Sequence, residues 1–147
     1  MAGTNLENSF MYWVGLASRL FSVSFNNELA GTGLTYRQAQ VLVCLQTRGE
    51  LAQNELASEL QIEPPTVVRI LDRMERDGLI KRLPSPDDRR KKIIRPTKKA
   101  ASKQQLFVEI GVHIEKQAAE NLSQSQLDTL RETLKIICRN IGSEKCN

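Results

Sequence analysis

At 147 residues and 16.6 kDa, with 40% hydrophobic residues, the chain is long enough for one domain with a real core, or a small core plus a docking element, and too short for a multidomain enzyme. No apolar run approaches the ~20 residues of a membrane span, and the opening "MAGTNLENSF" lacks the positive start and apolar stretch of a signal peptide, so the expectation is a soluble cytoplasmic protein without membrane contact. Cys44, Cys138 and Cys146 are odd in number, and with the single His113 they form no metal-ligand spacing; reduced thiols, no metal and no cofactor are expected. The net charge is +4, unevenly spread. From Arg69 to Lys103 thirteen Lys or Arg face five acids, whereas the rest of the chain carries eight bases against twelve acids. Such a patch suits nucleic acid, because neutralising phosphates releases counterions. The alternative is a solvated basic face.

Taken in order, Leu6, Phe10, Trp13, Ala17, Leu20 and Ser24 recur at helical spacing, which predicts a first helix running to about Ala30. "GTG" at Gly31 to Gly33 breaks it. Thr35 can cap a second helix, "YRQAQVLVCLQTRG", that Gly49 stops. A short third helix, "QNELASEL", places Leu56 and Leu60 on one face. The fourth, "PPTVVRILDRMERDG", begins with prolines, whose missing donors cost nothing in a first turn, and ends at Gly78. Val67, Ile70, Leu71 and Met74 are its expected buried stripe. Then the period changes: "LIKRLPS" and "KKIIRPT" flank "PDDRR", a β-hairpin signal with Pro86 and Asp87 as the turn. A fifth helix is expected from about Thr97 to Leu122. In a sixth, Leu127, Leu130, Leu134, Ile137 and Ile141 step by three and four, a narrow seam that wants a partner helix, either within the monomer or from a second copy.

This order of elements is that of a winged helix-turn-helix, in which the fourth helix can enter the major groove. The fold class expected is therefore mainly α with a small β-hairpin wing, a winged helix-turn-helix flanked by further helices. The winged part is assigned to residues 35–98, and the flanking helical region to residues 1–34 and 99–147.

Residue roles follow from that placement. Pro65, Thr66 and Arg69 lie on the first turns of the fourth helix, the end that reaches base edges. Thr66 can offer a hydroxyl to a base or phosphate, and Arg69 can bind guanine with two hydrogen bonds or hold a phosphate. Arg73, one turn on, suits the DNA backbone. Thr66 could instead cap the helix, and Arg69 could pair with Asp72.

"LTYRQAQVLVCL", "NELASELQIEPPTVVRILDRMERDGLIKR" and "DDRRKKIIRPTKKA" together resemble the MarR/SlyA family of bacterial transcriptional regulators, and the resemblance extends over nearly the whole chain. It implies a homodimer whose winged domains each read half of a palindromic operator in double-stranded DNA, with the terminal helices of both chains, residues 1–34 and 99–147, interleaved as a helical dimerisation domain. It also implies that Asp88 and Arg90 are the family's Asp-x-Arg pair, Arg90 the minor-groove finger and Asp88 its orienting partner, while Arg89, Lys91 and Lys92 track phosphates. Arg95 and Pro96 depart from the leucine-rich ending usual in the family, so the second wing strand is expected to be short.

The resemblance further implies repression as the commoner mode, relief of silencing in the SlyA branch, and release by a small aromatic acid bound between the dimerisation helices and the winged domain. Trp13 and Arg19 are candidates for that pocket, though Trp13 equally fits a core or dimer interface. Relatives that sense oxidants use a cysteine on the first helix, and this chain has none there. Cys44 reads as an inert core thiol, and Cys138 or Cys146 as a possible crosslink between subunits. With one histidine, scattered carboxylates and no Gly-rich phosphate loop, no catalytic set is present, so an enzyme is not expected. Two other readings stay open: a winged-helix protein-interaction module, and an architectural DNA-binding protein without sequence preference.

Overall fold

The computed structural model describes residues 6–142. A 3-10 turn at Leu6–Asn8 precedes α1 (Phe10–Glu28), followed by α2 (Tyr36–Arg48), β1 (Leu51–Ala52), α3 (Gln53–Leu60), α4 (Pro64–Arg76), β2 (Ile80–Pro84), β3 (Lys92–Pro96), α5 (Lys98–Ala118) and α6 (Gln124–Asn140). The chain divides into two compact units, Met1–Val112 and His113–Asn147, with the boundary inside α5. The fold is mainly helical with a small wing, as the sequence pattern predicts.

Local chemistry sets most boundaries of the first unit. Thr35 caps α2 through a full capping box: its hydroxyl accepts from the Gln38 amide, and the Gln38 side chain accepts from the Thr35 amide at 2.9 Å. That exchange also satisfies Gln38, a buried polar side chain. α2 ends at Gly49, whose φ of 84° lies in the region open to glycine. Gln61 takes a left-handed conformation after α3, and the Ile62 amide returns to the Ala57 carbonyl at 3.0 Å. The chain is thereby turned directly into α4.

The core of this unit is the interior of the three-helix group. Ala39, Val41, Leu42 and Leu45 of α2, Leu56 and Ala57 of α3, and Val67, Leu71 and Met74 of α4 are buried, together with Leu79, Ile80 and Ile94 from the sheet. Within α4 the buried positions step by four and three, one face of the helix. Truncating a fully buried member such as Leu71 to alanine costs ~2–5 kcal/mol in general. Ile70, expected in the stripe, is only half-buried, because it sits a quarter-turn from Leu71 toward the rim.

Several boundaries differ from the sequence expectation. α1 starts at Phe10 because the chain is extended at Ser9, and it ends at Glu28. α5 stops at Ala118: the amide of Leu122 closes a turn onto Ala119, with Asn121 at a φ of 64°, a conformation asparagine tolerates. The sheet has three strands in the order β1-β3-β2, not two. Leu51 and Ala52 pair antiparallel with Ile94 and Ile93, so β3 is the central strand. β3 is also not shortened: it runs through Arg95 and Pro96, with Arg95 facing Lys81 and Pro96 facing Ile80. Arg95 pairs with Glu50 just before β1, and Pro96 closes the strand, where its missing donor is harmless.

α6 is capped by Ser123, whose hydroxyl accepts from the Gln126 amide at 3.2 Å. It has no buried residue: Leu127 and Ile137 are half-buried, while Leu130, Leu134 and Ile141 are exposed, Ile141 by 81%. α1 likewise exposes Phe10, Met11, Trp13, Val14, Leu20, Phe21 and Val23. Water-facing apolar area of this extent is far more than isolated surface residues explain.

Candidate nucleic-acid interface

α4 opens with Pro64 and Pro65, and its N-cap residue Glu63 makes no side-chain cap. Pro65, Thr66, Arg69 and Arg73 are all exposed, on the side of α4 away from Val67, Leu71 and Met74, and Val68 is half-buried. Capping by Thr66 is not realised, since the N-cap position is Glu63 and Thr66 is already the third residue of the helix. Pairing of Arg69 with Asp72 is not realised either: Asp72 is taken by Arg82 at 2.7 Å. Among the described residues Arg69 and Arg73 make no ion pair, so their guanidiniums are open to an outside partner.

The wing follows. β2 and β3 pair from Ile80 with Pro96 to Pro84 with Lys92, and the Ser85 amide reaches the Lys91 carbonyl at 2.9 Å. The hydrogen-bonded turn spans Asp88 to Lys91, whose amide donates to the Asp88 carbonyl at 2.9 Å. Pro86 and Asp87 form a bend ahead of it rather than the turn itself. Proline's fixed φ bends the chain at that point, while the asparate two residues on can fold its side chain back onto the backbone. Arg89 and Arg90 are the middle residues of the turn, at the tip.

Asp88 and Arg90 do come together. One carboxylate oxygen of Asp88 accepts from the Arg90 amide at 3.0 Å and lies 3.5 Å from its Nε. The guanidinium is 93% exposed, so the pairing fixes the backbone at Arg90 more firmly than it holds the side chain. Arg89, Lys91 and Lys92 are exposed and form no ion pair among the described residues.

The basic stretch is uniform in sequence but divided in the structure. Arg82 is only 18% exposed in its side chain. Its Nη1 donates to Glu75 and its Nη2 to Asp72, both at 2.7 Å, while its backbone amide reaches Glu75 at 3.2 Å. Burial works against its charge, but the hydrogen bonds to Glu75 and Asp72 outweigh it and hold the guanidinium above its ordinary range. Arg95 is matched with Glu50. The hydrogen bond from Arg95 depresses the Glu50 carboxyl below the usual carboxylate range. Arg76 pairs with Asp77 at 3.0 Å. These partners lie up to 45 positions apart, beyond what charge counting can resolve.

Trp13 and Arg19 both sit on α1. Trp13 is exposed, stacks edge-on against Tyr12 and donates its indole N–H to the Glu7 carbonyl at 2.7 Å. Arg19 is exposed, about 120° further around the helix from Trp13. A concavity between α2, α3 and α5 has a different lining: Tyr36, Gln40, Cys44, Arg48, Glu59 and Phe107 among others. Tyr36, Phe25 and Phe107 form an aromatic cluster with centroids 4.7 to 6.0 Å apart, and Arg48 lies 3.4 Å from Glu59. Cys44 is buried, Cys138 is half-buried, and Cys146 lies outside the described residues. Within those residues no helix is long and apolar enough to cross a membrane, and no His, Cys, Asp and Glu group could hold a metal.

The MarR family matches residues 34–92, from two residues before α2 to the first residue of β3. An uncharacterised HTH-type transcriptional regulator of Bacillus subtilis, YwoH, is 34% identical over 118 residues, which is 80% of this chain and 83% of that protein. The multiple antibiotic resistance protein MarR of Salmonella typhimurium is 31% identical, over 76% of this chain and 78% of its own. In fold the chain is similar to a mutant MarR from E. coli solved in complex with operator DNA: TM-score 0.79, 23% identity, covering 85% of this chain and 90% of that one. The arrangement of helix, turn, helix and wing, with these matches along most of its length, makes the chain a member of the MarR family of DNA-binding transcriptional regulators.

Proposed function

We propose that the protein is a homodimeric repressor that binds a palindromic operator. Pro65, Thr66 and Arg69 of α4 read base edges in the major groove, Arg73 contacts the DNA backbone, and Arg90 enters the minor groove while Asp88 sets the backbone that carries it. Arg89 and Lys91 hold phosphates. The observation that carries this reading is the sorting of charge on the winged region. Arg69, Arg73, Arg89 and Lys91 stand exposed and without ion pairs among the described residues, and Arg90 is nearly fully exposed, whereas Arg82, turned toward the protein, is held by Asp72 and Glu75. The E. coli relative bound to operator DNA supports the same use of the fold. The second copy is argued from α6, whose step of three and four leaves Leu130, Leu134 and Ile141 in water in the single chain.

Release by a small aromatic acid fits the concavity between α2, α3 and α5 better than it fits Trp13 and Arg19. Tyr36 and Phe107 offer ring faces, and Arg48 a guanidinium for a carboxylate.

Salt titration of binding to duplexes recovered from a random pool tests the proposal. A dimer neutralising many phosphates loses ~10³-fold or more in affinity between 50 and 200 mM salt. Equal affinity for every sequence would mark an architectural protein instead, and absence of binding a protein-interaction module.

A further inference from the structure

We propose that Arg82 is a positioning residue for DNA recognition: by clamping β2 to α4 it fixes where the wing carries Arg90 relative to Thr66 and Arg69. The inference rests on the reading of α4 and the wing as the DNA-contacting elements, and it assigns a role to a cation that is only 18% exposed and held by two acids of α4.

Three features of the clamp support this. First, among the described residues Arg82 is the one point where a strand of the wing is tied to α4 by directed polar contacts. Asp72 and Glu75 lie three residues apart on one face of α4, and the planar fork of Arg82 meets both at 2.7 Å while its amide meets Glu75 at 3.2 Å. At the foot of β2 the Leu79 amide donates to the Met74 carbonyl of α4 at 2.8 Å, a single bond about which the strand can pivot, and the Leu79 and Ile80 side chains pack there without direction, so the tilt of the strand is resisted by the fork of Arg82 further along it. Second, the wing amplifies error. From Arg82 the strand continues through Pro84 to a turn whose tip is Arg89 and Arg90, on the order of 10 Å of extended chain, so tilting β2 by about 10° moves the tip by about 2 Å. Hydrogen bonds to DNA tolerate only a few tenths of an ångström. Third, the clamp masks charge. Asp72 and Glu75 follow Arg69 by three and six residues on the same helix, and Arg82 offsets two carboxylates that would otherwise repel phosphate beside it. Arg82 also lines a hollow with Arg90, Lys91 and Lys92, so direct contact with a phosphate is the competing role.

A double-mutant cycle separates these roles, using Arg82→Gln, Arg90→Ala and their combination, with thermal melting of each protein to establish that it is folded. Arg90→Ala is expected to weaken operator binding ~10- to 150-fold through loss of a charge-assisted hydrogen bond. If the clamp is what delivers Arg90 to its groove, Arg82→Gln weakens operator binding comparably and the combined variant is no weaker than Arg82→Gln alone. Asp72→Ala/Glu75→Ala breaks the clamp from the other side and makes the protein more positive by two. Positioning then requires weaker binding to the operator together with unchanged or tighter binding to random DNA. Fold-losses that multiply in the cycle, or operator and random-DNA affinities that rise in parallel in Asp72→Ala/Glu75→Ala, overturn the clamp and leave the wing assignment standing. An Arg90→Ala protein with unchanged operator affinity overturns the wing assignment, and the clamp with it.

Discussion

Replacing Arg69 by alanine addresses how the protein distinguishes one DNA sequence from another. Arg69 is exposed on the second turn of α4, and the acid three residues on, Asp72, is held by Arg82 at 2.7 Å, so Arg69 gives up no internal ion pair when it engages DNA. Its loss should therefore appear fully in binding. A good two-bond contact between arginine and guanine discriminates by ~1–3 kcal/mol, and a dimer carries two copies, so operator affinity should fall by ~2–6 kcal/mol, at least roughly 30-fold. Binding to random duplex should change much less. The salt slope separates the two functions of a guanidinium: a base contact leaves it nearly unchanged, whereas loss of a phosphate contact lowers it by ~0.9 for each phosphate. Arg69→Lys adds a further control, since it retains the charge but not the fork, and should keep random-DNA binding while losing operator preference. Fluorescence anisotropy on operator and scrambled duplexes at several salt concentrations provides all three numbers. Equal losses on operator and scrambled DNA, with a lower slope, would refute direct readout by Arg69 and reassign it to the DNA backbone.

Leu134→Glu places a charge in the exposed seam of α6; light scattering should show a monomer and anisotropy a large loss of operator affinity, while a dimer of unchanged stability would remove α6 from the interface. Glu50→Gln tests the pairing that closes β3 onto the start of β1. Because Arg95 depresses the Glu50 carboxyl, the pair stabilises the fold above the ordinary carboxylate range, and that contribution disappears as pH falls through the lowered value. The variant should thus melt slightly below the parent at neutral pH and together with it in acid; a difference that persists or grows in acid would show that it does not come from the ionised Glu50 carboxylate. A panel of small aromatic acids should raise the melting temperature of the parent, and the shift should vanish in Arg48→Ala but survive in Trp13→Ala; the reverse pattern would place the effector at α1.

How much of this was legible in the sequence depended on range. Thr35, Gly49, the Pro64–Pro65 pair and Gly78 are local signals, and each marks a helix boundary of the helix-turn-helix where it is expected, because caps and prolines act within one turn. Asp88 and Arg90 were legible for the same reason, being two residues apart in a turn. β1 was not: two residues, Leu51 and Ala52, carry no alternation, and only the long-range pairing with β3 makes them a strand. The turn was misplaced toward Pro86, since proline dominates the local pattern while the hydrogen bond that closes the turn comes from Lys91. The largest omission was the sorting of the basic stretch. Arg82 and Arg95 look like Arg89 and Arg90 in a charge count, yet each is matched to acids that folding brings from 7 to 45 positions away. The exposed seam of α6 was visible as a spacing, and the structure adds that the single chain leaves it open to water.

Selection of bound duplexes from a random DNA pool shows whether two copies of the chain read two half-sites. A homodimer enriches a palindrome whose half-sites lie about one helical turn apart, each protected on a major-groove segment and the flanking minor groove. A pool that stays random after repeated rounds, or one that yields an asymmetric single site, would contradict it.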